Sequence, residues 1–150
     1  MDTPFTWDHP APFTWELTVD ASHIDELGHT NNAVYVGWCG DIAWRHTTAL
    51  GLGLACYREL DRAMAMAHAQ YHYLAAALEG DQLLLGTWVL DTDGKLSSRR
   101  GFQLIRVADG KTLFRGEVRF VCIEISTGRP RRMPNAFIEG YGNAAVCKAG

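Results

Sequence analysis

The segment from Ala33 to Leu50 constrains this chain more than any other, because it is apolar on nearly every side. Val34, Val36, Trp38, Cys39, Ile42, Ala43, Trp44 and Leu50 cover almost all directions of a helical wheel, and only Asp41, Arg45 and His46 interrupt them. A helix with no polar face is buried on most sides. Asn31 or Asn32 supplies an N-cap, since a short polar side chain there satisfies an orphan backbone N–H. Gly51 and Gly53 close the segment. A helix over about 32–50 would measure roughly 28 Å. Gly37 and Gly40 lie inside it, each costing about 1 kcal/mol relative to Ala. Another backbone or a ligand passing close to them would explain their presence. The expectation is one central helix wrapped by something else, with Asp41 buried in it.

The wrapping is legible in the flanking sequence. Phe13, Trp15, Leu17 and Val19 alternate with Thr14, Glu16, Thr18 and Asp20, the period of a half-buried strand. After the helix, Tyr57–Asp61 reads as a helical turn. A strand follows over 62–74, with Ala63, Ala65, Ala67 and Ala69 on one face and Met64, Met66, His68, Gln70 and His72 on the other. Glu79-Gly80-Asp81 turns the chain into Gln82–Leu90. Asp93-Gly94 and Asp109-Gly110 are hairpin signals, bounding strands over 97–107 and 111–125. In the last, Phe114, Val118, Phe120 and Cys122 oppose Arg115, Glu117 and Arg119. No element is assigned after Pro134. Pro4-Phe-Thr-Trp7 recurs as Pro12-Phe-Thr-Trp15, too short for a repeat architecture and read as coincidence or a tail packed on the surface. One domain over 1–150 is expected, with tails at 1–12 and 135–150. Strand runs segregated from a long helix give α+β, and a curled antiparallel sheet is the way to cover such a helix. Its open edge strand is the kind that a homodimer closes. This arrangement is hotdog-like.

Composition excludes several classes. Hydrophobic residues make up 47% and charged residues 21% of the 150, the balance of a globular domain. Cys39, Cys56, Cys122 and Cys147 have neither CxxC nor zinc spacing, and read as free thiols of a reducing compartment. The longest stretch free of Asp, Glu, Lys and Arg, Ala63 to Leu78, holds two His and a Gln, too short and polar to span a bilayer. With no signal-peptide pattern at the start, a cytoplasmic location is expected. The net charge of −3 is segregated: residues 95–132 carry ten Lys/Arg against three Asp/Glu, and residues 1–94 carry three against thirteen. Such asymmetry fits an anionic ligand or self-association, and solvated strand faces explain it equally well. No nucleic-acid motif is present. His68 and His72 lack a third ligand nearby, so no metal is expected.

The chemistry concentrates ahead of the helix. Its free N–H groups can hold an anion or a polarised carbonyl oxygen. Asp25 lies in the preceding loop with His29, Asn31 and Asn32, and a carboxylate there can serve as nucleophile or base at neutral pH. On these residues alone, a turn and a cap are the simpler reading.

Asp25-x-x-Gly28-His29-x-Asn31-Asn32-x-x-Tyr35, followed by Gly37-Trp38 and by Gly80-Asp81-x-Leu83, resembles the acyl thioesterases of the hotdog superfamily. The likeness covers about residues 13–134 and is similar to both the 4-hydroxybenzoyl-CoA and the acyl-ACP thioesterase-like enzymes. The resemblance implies hydrolysis of an acyl-CoA or aroyl-CoA to free acid and CoA. Asp25 would be the catalytic carboxylate, the backbone N–H of Asn32 the oxyanion donor, and His29 an orienting or proton-handling group. It implies no metal or organic cofactor, and a homodimer or a tetramer of dimers with sites at the subunit interface. Asn31 and Tyr35 would contact substrate, and Arg129, Arg131 and Arg132 would hold CoA phosphates. The plant-type enzymes carry Asp-x-Asn-x-His, where this chain has Leu27 in the middle. The Asp-x-Asn-Pro-x-His of the related hydratases is absent. A second subclass places its carboxylate within the helix, which makes Asp41 the alternative base. Acyl-ACP cleavage and non-catalytic acyl-thioester binding are the competing readings.

Overall fold

Asn31 caps the long helix as its spacing predicts: its side chain accepts a hydrogen bond from Ala33 N at 2.9 Å. In the computed structural model, which describes residues 5–147, this helix is α1 (Asn32–Ala49). The outer ends of the expected tails, residues 1–4 and 148–150, lie outside the described residues. Gly51, at φ +81°, reverses the chain into α2 (Leu54–Leu60). Strands β1 (Phe13–Thr18), β2 (Arg62–Tyr73), β3 (Gln82–Thr92), β4 (Ser97–Arg106) and β5 (Thr112–Glu124) form one antiparallel five-stranded sheet, ordered β1-β3-β4-β5-β2. The Asp-Gly turns fall where the sequence puts them, with Gly94 and Gly110 at φ +68° and +72°. The architecture is α+β, a curved sheet with the long helix against it, the hotdog arrangement.

Two apolar clusters hold the layers together. Tyr35, Trp38, Cys39 and Ile42 of α1 pack on Leu83, Leu85, Phe102, Leu104, Phe114 and Val118. The second cluster joins Leu52, Tyr57, Val89 and Cys122 to Met133, Phe137 and Tyr141. The last two lie on α3 (Asn135–Ala144), a helix in the segment left unassigned above.

One expectation about α1 is corrected. Only Tyr35, Trp38, Cys39, Ile42 and Thr47 are buried in it, while Gly37, Gly40, Asp41, Trp44 and Arg45 are exposed. The sheet of one chain covers one side of the helix, and Asp41 faces outward. One turn on, the Arg45 guanidinium lies 4.1 Å from the centre of the Trp15 ring. Among the described residues, nothing beyond the adjoining turns of the helix comes within 4 Å of where a Cβ would stand on Gly37 or Gly40. The close approach that would explain these glycines does not come from the described residues.

The two-faced reading of β2 is corrected as well. The register against β5 shifts between Met66 and His68, so Ala67 is an extra residue. A bulge of this kind reverses which side chains face inward. Met64 and Met66 therefore share a cavity wall with Tyr71, while Gln70 and His72 line a groove with Trp88 and Arg115.

Residues 5–12 cross β3 and β4, a tail packed on the sheet surface. Trp88 Nε1 donates to Pro10 O at 3.0 Å, and Gln103, fully buried, accepts from Asp8 N at 2.8 Å and donates to Thr6 O at 3.0 Å. Gly86 makes room for this strap, since a Cβ there would stand 2.6 Å from the Trp7 ring. Asp8 also pairs with Arg115 at 2.7 Å, Asp91 with Arg99, and Asp81 with Arg106 at 3.9 Å. The acidic first part of the chain thus neutralises some of the basic segment directly.

Candidate active site

The loop before α1 is built around Asp25. Ile24 and Thr30 form an isolated antiparallel bridge, and Gly28, at φ +79°, lets the chain reverse between them. Asp25 Oδ1 accepts from Leu27 N at 2.9 Å and His29 N at 3.3 Å, while Asp25 N donates to His29 O at 2.8 Å. Donors aimed at a carboxylate fix its direction.

Beneath the loop lies the segment around Ala77. Thr30 donates through both its N–H (3.0 Å) and its hydroxyl (2.8 Å) to Ala77 O. Tyr35, stacked on Phe114, accepts from Ala77 N at 3.0 Å. Tyr35 is thus buried and supports the loop from below.

The first turn of α1 adds donors. Asn31 uses its side-chain oxygen on Ala33 N, and its backbone carbonyl accepts from Val34 N at 2.9 Å. The Asn32 N–H has no acceptor among the described residues, as a helix N-terminus allows. The Asn32 carbonyl is held by the Tyr73 hydroxyl at 3.3 Å. Asp25 and His29 are thus joined within the loop, and Asn31 and the Asn32 N–H stand where it enters the helix. Arg129, Arg131 and Arg132 are exposed after β5; Arg131 N donates to Cys122 O at 3.0 Å, whereas the loop is tied to Tyr73, opposite Phe114, so roughly 27 Å of strand separates them. Of the three, Arg131 approaches Glu124, at 3.5 Å.

A cavity of about 220 Å³ runs between α1 and the sheet, from Val36 and Cys39 to Thr47, Tyr57 and Tyr141. Gly40, Trp44 and Met66, all exposed, stand around it. Its inner end is polar. Arg100, only 4% exposed, donates to His46 Nδ1 at 2.9 Å and to Thr87 Oγ1 at 3.2 Å, with Thr47 Oγ1 at 3.4 Å. Because guanidinium can only donate, His46 Nδ1 accepts and the ring proton sits on Nε2. Burial, and then the Arg100 charge, press the His46 pKa down to about 4. Burial also lowers Arg100, to about 10, and leaves it cationic at neutral pH. Tyr57 and Tyr141 bond to each other through their hydroxyls at 2.5 Å, and burial pushes both pKa values upward.

Sequence reasoning missed this cluster. Arg100 sits in the run Ser98-Arg99-Arg100, which looks like a basic strand surface. Strand alternation was the available signal, since Phe102 and Leu104 share its parity.

Comparison with known proteins bears on the family and the fold. The profile of the thioesterase-like superfamily matches residues 19–140. A comparison with curated protein sequences returned no match. Among solved structures, a Staphylococcus aureus protein in complex with CoA superposes with a TM-score of 0.82 at 22% identity, covering 97% of this chain and 92% of that one. A 1,4-dihydroxy-2-naphthoyl-CoA thioesterase from Synechocystis gives 0.77 at 19%, covering 87% and 96%. A 12:0-ACP thioesterase from Umbellularia californica gives 0.79 at 15%, covering 91% and 55%. At these identities the superpositions speak to the fold, and the profile, spanning most of the chain, speaks to descent. The chain belongs to the thioesterase-like superfamily.

Proposed function

We propose that this protein hydrolyses an acyl-CoA thioester, or alternatively an acyl-ACP, to the free acid. The observation that carries the reading is the Asp25 carboxylate, oriented by two amides of the loop that leads into the helix N-terminus at Asn32. Asp25 takes a proton from water as the water oxygen bonds to the thioester carbonyl carbon. The Asn32 N–H receives the developing oxyanion. The C–S bond then breaks, and the thiolate leaves and takes up the proton. Direct attack by the carboxylate, with hydrolysis of the resulting anhydride, uses the same groups. His29, exposed on the same loop, handles protons, the Asn31 amide faces substrate, and Tyr35 holds the loop.

The working unit in this reading is a homodimer in the cytoplasm. Edge strand β2 carries the Asp25 loop near its Tyr73 end and Arg131 near its Arg62 end, through Glu124. Antiparallel pairing of two β2 edges would set the basic residues 129–132 of one chain beside the loop of the other, where guanidinium groups suit CoA phosphates.

Thiol release from a panel of acyl- and aroyl-CoAs tests this, with wild type beside Asp25→Asn and Asp41→Asn. Loss of about 10²–10⁴-fold in kcat is expected for the first change alone. Loss on changing Asp41 alone would move the base to the exposed side of α1, and no turnover on CoA or ACP esters would refute hydrolysis.

A further inference from the structure

The inner end of the cavity holds a feature that thioester hydrolysis by itself does not need. Arg100 is almost wholly enclosed, yet its three hydrogen-bond partners, His46, Thr87 and Thr47, are all uncharged. No carboxylate among the described residues pairs with it, whereas the more exposed Arg99, Arg106 and Arg115 each have at least one. Charged side chains are almost never fully buried unless paired. His46 cannot supply the missing negative charge, and its neutrality spares Arg100 a like charge. The Tyr57 and Tyr141 hydroxyls, raised in pKa by burial, are neutral too.

The surroundings give the shape of what is missing. Most of the cavity wall, including Val36, Cys39, Met64 and Phe120, is apolar; Tyr71 and Arg99 also reach it, and the buried polar groups of Arg100, Thr47, Ser98 and Tyr141 line it too. Val36 and Thr47 are separated by about 16 Å along the helix. A ligand matching this space is an extended apolar chain with an acid at its far end. A carboxylate suits a guanidinium because two parallel N–H···O bonds can form.

We propose that the acyl group accepted by this enzyme ends in a carboxylate that pairs with Arg100, so that its substrates are mono-thioesters of dicarboxylic acids. This rests on the thioesterase reading above and names its substrate class. Arg100 is then a specificity residue, in contact with the substrate at the end remote from the thioester.

The test compares mono-CoA thioesters of short, medium and long dicarboxylic acids with the plain acyl-CoAs of matching length. Wild type is expected to favour the carboxylated member of at least one pair by tenfold or more in kcat/KM. Arg100→Met should reverse that preference, and Arg100→Lys should keep part of it. Thermal shift of wild type with the free dicarboxylic acids, against matching monocarboxylic acids, reads binding without turnover and does not depend on any variant folding. Cleavage of plain acyl-CoAs as fast as, or faster than, their carboxylated partners at every length would overturn the proposal and leave the thioesterase reading standing. Selective stabilisation by dicarboxylic acids with no thioester cleaved would do the opposite: the anion site stands and catalysis falls.

Discussion

His46 makes the stability of this protein depend on pH in a window where few other groups titrate. Its ring is packed between Phe13, stacked at 4.8 Å, and the Arg100 guanidinium at 2.9 Å. Burial, then that charge, lower its pKa from 6.5 to about 4. The unfolded chain therefore binds a proton near pH 6.5 that the folded chain refuses until about pH 4. Between those values the unfolded state holds more protons, so stability is complete above pH 6.5 and is lost as the pH falls. The full interval corresponds to at most about 3.4 kcal/mol. His46 is only partly buried, and solvent screening brings this to about 1.5 kcal/mol. Ordinary carboxylates titrate near pH 4, so the upper half of the window belongs to histidine. Urea denaturation of wild type and His46→Asn across about pH 7.5 to 4.5 measures it. Asn Oδ1 can stand in for Nδ1 as the acceptor from Arg100, so the variant loses the titration and keeps the bond. Its stability should decline less between pH 6.5 and 5 than that of wild type, by about 1 kcal/mol. Parallel curves would show that His46 is protonated in the fold and that its contact with Arg100 is misread.

Other perturbations test the remaining parts of the structure. Phe137, fully buried and 5.0 Å from the Tyr57 ring, should cost about 3–5 kcal/mol when changed to Ala; chemical denaturation showing under 1 kcal/mol would mean that α3 is not part of the core. The glycines of α3 should diverge in thermal melts. Gly142→Ala meets open space and should stabilise by up to about 1 kcal/mol. Gly140→Ala sets a Cβ 2.6 Å from Leu52 and should lose that gain or more. Gly37→Glu places a charge on the open side of α1; sedimentation should show self-association weakened by tenfold or more with the far-UV spectrum unchanged, and unaltered association would take this stripe out of any dimer interface.

The framework of the fold was legible because its punctuation is local. Asn31, Gly51, Gly94 and Gly110 each do in the structure what their residue type dictates, and the strand boundaries follow from them. What the sequence obscured depends on long-range partners. Asp41 looked buried because the helix is apolar around it, but hydropathy does not say whether the cover comes from the same chain. The Ala67 bulge is invisible in a run of alternating alanines, where either face is equally small, and it decides that Met66 and Tyr71 share a wall. Gly140, Gly142 and Asn143 weaken the helix signal of α3, although Phe137, Ile138 and Tyr141 carry the apolar stripe. The Asp25 loop stood out as a candidate site by its resemblance to a family. Arg100 belongs to no such motif, and its burial and its lack of a carboxylate partner among the described residues distinguish it from Arg99 next door.

The strap formed by residues 5–12 also limits how larger assemblies can be built. Trp7, His9 and Pro10 already occupy the outer surface of β3 and β4, fastened by Gln103 and Trp88. Two dimers stacking back to back over these strands would meet the strap before they met the sheet. A tetramer of this protein must therefore either use the strap as its contact layer or slide toward β5 and β2. Its quaternary geometry would then be set by a segment that lies outside both the Asp25 loop and the α1 cavity.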